Sequence, residues 1–351
     1  MQRDTDQPRT KRIISKVMWL LLAGCLLLVA CGGQKEHTLV GQTMGTTYHI
    51  KVVAGRSVDM KTLQTRVDAR LEQINQSMST YRPDSEINRF NALNETATPF
   101  AISPDFLRVM LAAREVYRLT GGALDCTVQP LVNLWGFGQQ GPLDQVPTAA
   151  EVESVRALVG FDRIDIAVSG HLSKQRPDVT LDLGAIAKGY GVDQVAILLN
   201  GMGFRQFLVE IGGEVYAAGQ RLDGRPWRVG INQPERNAPA DAIHAVVQLQ
   251  DRALATSGDY RQYYEIDGRL FAHILDPRTG YPVRTDVVSA TVIADNCTFA
   301  DGLATALVVM AAGEGLALLD DLPGVEGLII TRSADGTLTN LPSQGFAALV
   351  D

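Results

Sequence analysis

Apolar residues recur along the chain with two distinct periods. Between Thr38 and Val53, Tyr48, Ile50 and Val52 alternate with His49 and Lys51, which predicts a strand. From Val58 to Ser77, Leu63, Val67, Leu71 and Ile74 fall at three- and four-residue steps, the spacing of one buried helical face. Ser103-Pro104-Asp105 reads as a helix start, with Ser103 as N-cap and Pro104 in the first turn, and that helix runs to about Leu119 before Gly121-Gly122 stops it. The stretch from Gly136 to Thr148 is rich in Gly, Gln and Pro and predicts a surface loop, after which Thr148 opens a short helix. Val179 to Leu183 predicts a strand that turns through Gly184 into a helix from Ala185 to about Leu199. Further strands are expected at Phe207–Ile211, Trp227–Ile231, Ala242–Leu249 and Val287–Ala294, with helices at Cys297–Ala312 and Gly313–Leu319. Strands in runs interrupted by helices imply an α+β fold with mixed or antiparallel sheets and packed helices.

The N-terminus follows neither period. Arg9, Lys11, Arg12 and Lys16 precede an unbroken apolar run from Val17 to Ala30. That run falls short of the ~20 residues a spanning helix needs and has the layout of an export signal. It ends in Leu28-Val29-Ala30-Cys31, a lipobox in which the thiol of Cys31 takes a lipid; Leu22-Ala23-Gly24-Cys25 is a weaker second match. The expected organisation is a signal peptide at 1–30, a flexible tether at 31–37 and one catalytic domain of two intertwined lobes at 38–351.

Of the 351 residues, 46% are hydrophobic and 20% charged, as in an ordinary folded protein. The net charge is −7, and removing residues 1–30, with five basic and two acidic residues, leaves −10. So acidic a chain lacks the basic surface that nucleic acid requires, and an anionic ligand would need a metal or local donors. Only Cys126 and Cys297 lie beyond the signal region, with no CxxC pair or Cys/His spacing for zinc.

Three constellations carry candidate chemistry. Asp301 and Thr305 are four residues apart and share a helix face, where a carboxylate and a hydroxyl can take a hard cation such as Mg²⁺ or Mn²⁺. An i,i+4 Asp/Thr pair also serves as plain capping. Leu181-Asp182-Leu183-Gly184-Ala185-Ile186-Ala187-Lys188-Gly189-Tyr190-Gly191 puts an acid, small residues and a lysine at the start of a helix, where free N–H groups favour phosphate. It lacks the GxxxxGK[ST] spacing of a nucleoside-triphosphatase. His273-Ile274-Leu275-Asp276-Pro277-Arg278-Thr279-Gly280-Tyr281-Pro282 sets a His and an Asp on a rigid turn, which suits a proton acceptor for a hydroxyl nucleophile. Tyr81 offers a stacking face for a heteroaromatic ring, and Gly121-Gly122-Ala123-Leu124-Asp125 a bare backbone beside an acid.

Taken together these segments resemble the ApbE family of FAD:protein FMN transferases. The match runs through Gly41–Thr46, Ser79–Tyr81, Gly121–Asp125, Leu181–Gly191, Glu210–Glu214, Ala255–Tyr260, His273–Pro282 and Ala300–Thr305, nearly the whole of the mature chain. The resemblance implies a T-fold-like α+β structure with FAD between two lobes, contacted by Met44, Tyr81, Ala123, Leu124, Asp125, Asp182, Lys188, His273 and Ile274. It also implies Mg²⁺ held by the Ala185 carbonyl, Asp301 and Thr305. The expected reaction moves the FMN half of FAD onto a Thr or Ser hydroxyl of a protein and releases AMP, with His273 as base, assisted by Asp276. Acceptors are expected among exported domains of membrane redox complexes. Competing expectations are a Mg²⁺-dependent FAD pyrophosphatase and a non-catalytic FAD-binding lipoprotein.

Overall fold

The computed structural model describes residues 33–138, 141, 143, 145–235, 238–239, 242–259, 263–266 and 269–351. The signal-like run, Cys25, Cys31 and Tyr260 lie outside the described residues. In chain order the first half contains β1 (Gln34–Thr43), β2 (Thr46–Gly55), α1 (Met60–Met78), α2 (Glu86–Asn91), β3 (Phe100–Ala101), α3 (Pro104–Leu119), α4 (Gln129–Leu134), α5 (Ala149–Arg156), β4 (Ile164–Ala167) and β5 (His171–Lys174). Then follow α6 (Ala187–Gly201), β6 (Phe207–Ile211), β7 (Glu214–Ala218), β8 (Trp227–Asn232), β9 (Ile243–Leu249) and β10 (Arg252–Gly258). The remainder is β11 (Tyr263–Ile266), β12 (Arg269–Ala272), β13 (Leu275–Asp276), β14 (Tyr281–Pro282), β15 (Val287–Ala294), α7 (Cys297–Val309), α8 (Ala312–Asp321), β16 (Glu326–Arg332) and β17 (Leu338–Pro342).

Eight strands form one sheet in the order β1-β2-β6-β7-β10-β15-β16-β17, every neighbouring pair antiparallel. One face carries Ile50, Val52, Val209 and Ile211 against Leu63, Val67 and Leu71 of α1 and Val192, Val195 and Leu199 of α6. Further along that face, Ala290, Val292 and Ile329 pack on α7 and α8. The other face, with Val215, Leu254, Ile293 and Ile330, is closed by the β8–β9 hairpin through Trp227 and Val247. Both sides of β15 are therefore covered, which explains why all eight of its residues are buried, Ser289 and Thr291 included. Each large apolar side chain taken out of water in these layers contributes roughly 1.5–3 kcal/mol.

Several expectations change in the structure. The strand at Thr38–Val53 is a hairpin, because Met44 (φ 49°) and Gly45 (φ 72°) adopt the left-handed conformations of a two-residue turn. Residues 34–37 of the expected flexible tether belong to β1, since Ala54 and Val53 of β2 offer partners to Lys35 and Glu36. Val179–Leu183 is buried at alternate positions but pairs with no strand. The side chain of Asn91 takes the place of a neighbouring strand, accepting from Leu181 N–H at 2.7 Å and donating to its carbonyl at 2.9 Å. Helix α6 begins at Ala187 rather than Ala185. Cys126 and Cys297 are free and buried in separate core clusters.

Candidate active site

Antiparallel register brings the Met44-Gly45 turn, the Gly212-Gly213 turn, the end of β10 and the start of β15 to one end of the large sheet. The Met44 backbone is held in a conformation uncommon for a side-chain-bearing residue, and its side chain lies on α6, where a Cβ on Gly191 would come within 2.9 Å of the Met44 methyl. Gly212 (φ 61°) supplies the neighbouring turn, and its missing side chain leaves room for Thr46, whose methyl a Cβ there would meet at 2.9 Å.

Helices α6 and α7 are stitched to each other by their own polar groups. Asp193 of α6 accepts from the Cys297 and Thr298 N–H groups, both at 2.8 Å, and from the Thr298 hydroxyl at 2.5 Å, so it caps α7 from the neighbouring helix. In return Gly189 N–H of α6 donates to Asp301 Oδ2 of α7 at 2.9 Å. This approach requires glycine: a Cβ at position 189 would lie 2.3 Å from the Cys297 carbonyl oxygen. It also diverts the N–H that would otherwise close the first turn of α6 onto the Ala185 carbonyl, and among the described residues no donor reaches that carbonyl. α6 opens without a side-chain cap: Ala187 N–H bonds the Leu183 carbonyl and Gly189 N–H goes to Asp301, so of the first turn the Lys188 N–H alone has no acceptor among the described residues.

Asp301 is 1% exposed. Burial pushes its carboxyl up, while Lys188 and the Gly189 N–H pull it back. Lys188 Nζ lies 3.1 Å from Glu214 Oε1 and 3.6 Å from Asp301 Oδ1. Burial works against the lysine charge, but Asp301 and Glu214 outweigh it and hold the ammonium well above its ordinary range. One turn beyond Asp301, the Thr305 hydroxyl meets Ser257 Oγ of β10 at 2.9 Å. The oxygens of Asp301, Thr305 and Ala185 suit a hard cation that keeps waters or phosphate oxygens as its other ligands. No cluster of three or more His, Cys, Asp or Glu suited to a metal occurs among the described residues.

The same core cluster joins Ala123 and Leu124, Ile274, Ala255, and Ala300, Leu303 and Ala304, with Ala185 packed against it. Segments far apart in sequence therefore meet around α7. Asp125 serves as a brace: its oxygens accept from Thr127 N–H at 2.8 Å, the Thr127 hydroxyl at 2.6 Å and Phe161 N–H at 3.0 Å. Asp182 donates its N–H to the Cys126 carbonyl and caps Gly184 N–H at 2.7 Å, which shapes the bend before α6. Tyr81 is 71% exposed just past α1, whose Asn75 reaches Thr43 beside the Met44 turn.

His273 follows β12 and is half-buried, its ring edge-on to Phe137 at 6.5 Å between centroids. Its turn is rigid. Arg278 binds both oxygens of Asp276, at 2.9 and 3.0 Å, Gly280 N–H closes onto the Asp276 carbonyl at 2.8 Å, and Trp135 Nε1 holds the Gly280 carbonyl at 2.8 Å. Asp276 thus shapes the turn that presents His273, with its own carboxylate committed to Arg278. Sequence reasoning did not single out Asp193, Asn91, Ser257 or Glu214, which act through partners distant in sequence.

A helix-backed antiparallel sheet that gathers a lysine, a buried carboxylate, a threonine hydroxyl and, at the start of α6, a carbonyl without a donor among the described residues defines an α+β protein suited to a phosphate-bearing ligand. The chain belongs to the ApbE family, whose model matches residues 44–329. It is 45% identical over 321 residues to the FAD:protein FMN transferase of Vibrio cholerae, covering 91% of this chain and 95% of that one. To the protein of the same name from Haemophilus influenzae it is 40% identical over 349 residues, 97% of this chain and 99% of the other. Among solved structures, the flavin transferase ApbE from Vibrio cholerae superposes with a TM-score of 0.83 at 43% identity over 90% of this chain and all of that one. The flavinyl transferase ApbE of Pseudomonas stutzeri in its apo form gives 0.80 at 37% identity over 90% and 97%.

Proposed function

We propose that this protein is an FAD:protein FMN transferase that moves the FMN half of FAD onto a Thr or Ser hydroxyl of an acceptor protein and releases AMP. The observation that carries the reading is the convergence of Asp301, Thr305, the unbonded Ala185 carbonyl and Lys188, in a chain so close to relatives of that name. FAD would lie at this end of the helix-backed sheet, with its ring near Tyr81 and Met44 and its pyrophosphate near the start of α6.

Ala185, Asp301 and Thr305 would hold Mg²⁺ or Mn²⁺, which when bound supplies positive charge against the pyrophosphate. Lys188 adds a fixed positive charge, and Asp301 and Glu214 keep it protonated. The Lys188 N–H at the start of α6, which no described residue accepts, adds a donor for a phosphate oxygen. His273 takes the proton of the acceptor hydroxyl as its oxygen bonds to the FMN phosphorus, and the bond from that phosphorus to the bridging oxygen breaks, so AMP leaves. Asp276 acts through the turn that it and Arg278 lock.

The apolar run before Leu28-Val29-Ala30-Cys31 supports export with a lipid on Cys31, which anchors the enzyme to a membrane facing the periplasm or cell exterior. Acceptors would then be exported domains of membrane redox complexes. The decisive experiment is mass spectrometry of a candidate acceptor domain incubated with enzyme, FAD and Mg²⁺: one FMN on one hydroxyl, with stoichiometric AMP, is expected. Free FMN and AMP with an unmodified acceptor would make the protein a pyrophosphatase, and bound FAD without AMP a flavin-binding lipoprotein.

A further inference from the structure

A cleft of about 490 Å³ lined by Arg269, Leu270, Phe271 and Arg284 lies outside the segments assigned to FAD. Two-residue alternation along β12 puts Arg269 and Phe271 on one face, and the strand delivers His273 directly after Ala272. On the other side, Arg284 follows Val283, whose N–H bonds the Ile274 carbonyl at 3.0 Å. The cleft walls are thus continuous with both ends of the turn that carries His273.

Both arginines are exposed, and neither makes an ion pair or hydrogen bond with a described residue. By contrast Arg70, Arg82, Arg156, Arg176 and Arg278 each hold a carboxylate. Two unpaired guanidiniums in one cleft of a chain with net charge −7 repel each other until an anion arrives. A guanidinium matches a carboxylate through two parallel N–H bonds. Under the proposed function Lys188 and the cation site serve the FAD phosphates, so an anion here belongs to the second substrate. Leu270, 43% exposed, adds an apolar edge to the cleft.

We infer that this cleft docks the acceptor protein by binding an acidic side chain close in sequence to the hydroxyl that receives FMN. Arg269 precedes His273 by four residues, a span of ~13 Å in extended chain. The acceptor carboxylate therefore sits a few residues from the modified hydroxyl. This inference rests on the transferase reading, and wild-type transfer to an acceptor domain is established before any variant is compared.

The test uses the full enzyme with both Arg269→Glu and Arg284→Glu, and the acceptor domain flavinylated by the wild type. A rise of about tenfold or more in KM for the acceptor is expected, with an unchanged FAD dissociation constant and a weaker salt dependence of kcat/KM. Replacing by Lys the acidic residues of the acceptor nearest its modified hydroxyl should restore transfer by the doubly reversed enzyme and impair it with wild type. The pair Arg269→Lys with Arg284→Lys should keep most of the acceptor affinity, which separates charge from folding. An unchanged acceptor KM with unchanged salt dependence overturns the inference. So does weakened FAD binding with an unaltered acceptor KM, which would assign the cleft to the nucleotide.

Discussion

At the scale of single residues, the site depends on charges that hold one another in place. Asp301 is buried, bonded to Gly189 and facing Lys188, so its loss removes both the proposed cation ligand and a partner of the Lys188 ammonium. Asp301→Ala is expected to abolish AMP release at saturating Mg²⁺ while far-UV circular dichroism stays native; wild-type turnover in that variant would remove the metal assignment. His273→Ala should keep FAD affinity, read by flavin fluorescence, and slow transfer by ~10²–10⁴, the usual worth of a positioned base. A loss of FAD binding instead would make the imidazole a ligand contact. Lys174 is a different kind of buried lysine. It donates to the carbonyls of Asn91, Leu93 and Pro177, and burial draws its pKa down to about 8. Its charged form is penalised in the fold relative to the unfolded chain, so its contribution to stability rises with pH between about 8 and ~10.4, where the unfolded chain binds the extra proton. Urea titrations at pH 7 and 9.5 should show the wild type gaining relative to Lys174→Met over that interval.

At the scale of elements, the geometry of the site is set by how closely α6 and α7 approach. Gly189→Ala would place a methyl against the Cys297 carbonyl, and backbone cannot yield as a flexible side chain does. A loss of several kcal/mol is expected, of the order of core overpacking at ~1–3 kcal/mol plus the Gly189–Asp301 bond at ~1.5–3 kcal/mol, measured by chemical denaturation. Asp193→Asn keeps the shape of the cap and should cost about 1 kcal/mol, but it shifts the start of α7 and so raises the Mg²⁺ concentration for half-maximal transfer more than it lowers the rate at saturation. An unchanged Mg²⁺ dependence would reduce Asp193 to a helix cap. Asn91 acts likewise on the segment before α6, where its amide stands in for a missing strand.

At the scale of the whole molecule, β1 runs from the N-terminal end of the described chain to the Met44 turn, so that end and the site lie at opposite ends of the sheet. Under the anchoring proposal Cys31→Ser should move the protein from the membrane fraction to the soluble one, with transfer to a soluble acceptor unchanged. Recovery of that variant in the membrane fraction would assign anchoring to another segment.

Local periodicity and capping alone determined much of the element list. Ser103 and Thr148 cap where the sequence placed them, β6 and β15 match residue for residue, and α1 and α3 follow their apolar stripes. The i,i+4 pair Asp301 and Thr305, the small-residue bend and the His273 turn were legible because each is a short-range pattern. Tertiary structure decided what depends on a partner distant in chain: that Val179–Leu183 is held by an asparagine and that Asp193 caps a neighbouring helix. A hydrogen bond between residues about a hundred positions apart leaves no periodic trace in sequence. The same bond fixes where a buried carboxylate, a lysine and a carbonyl oxygen meet.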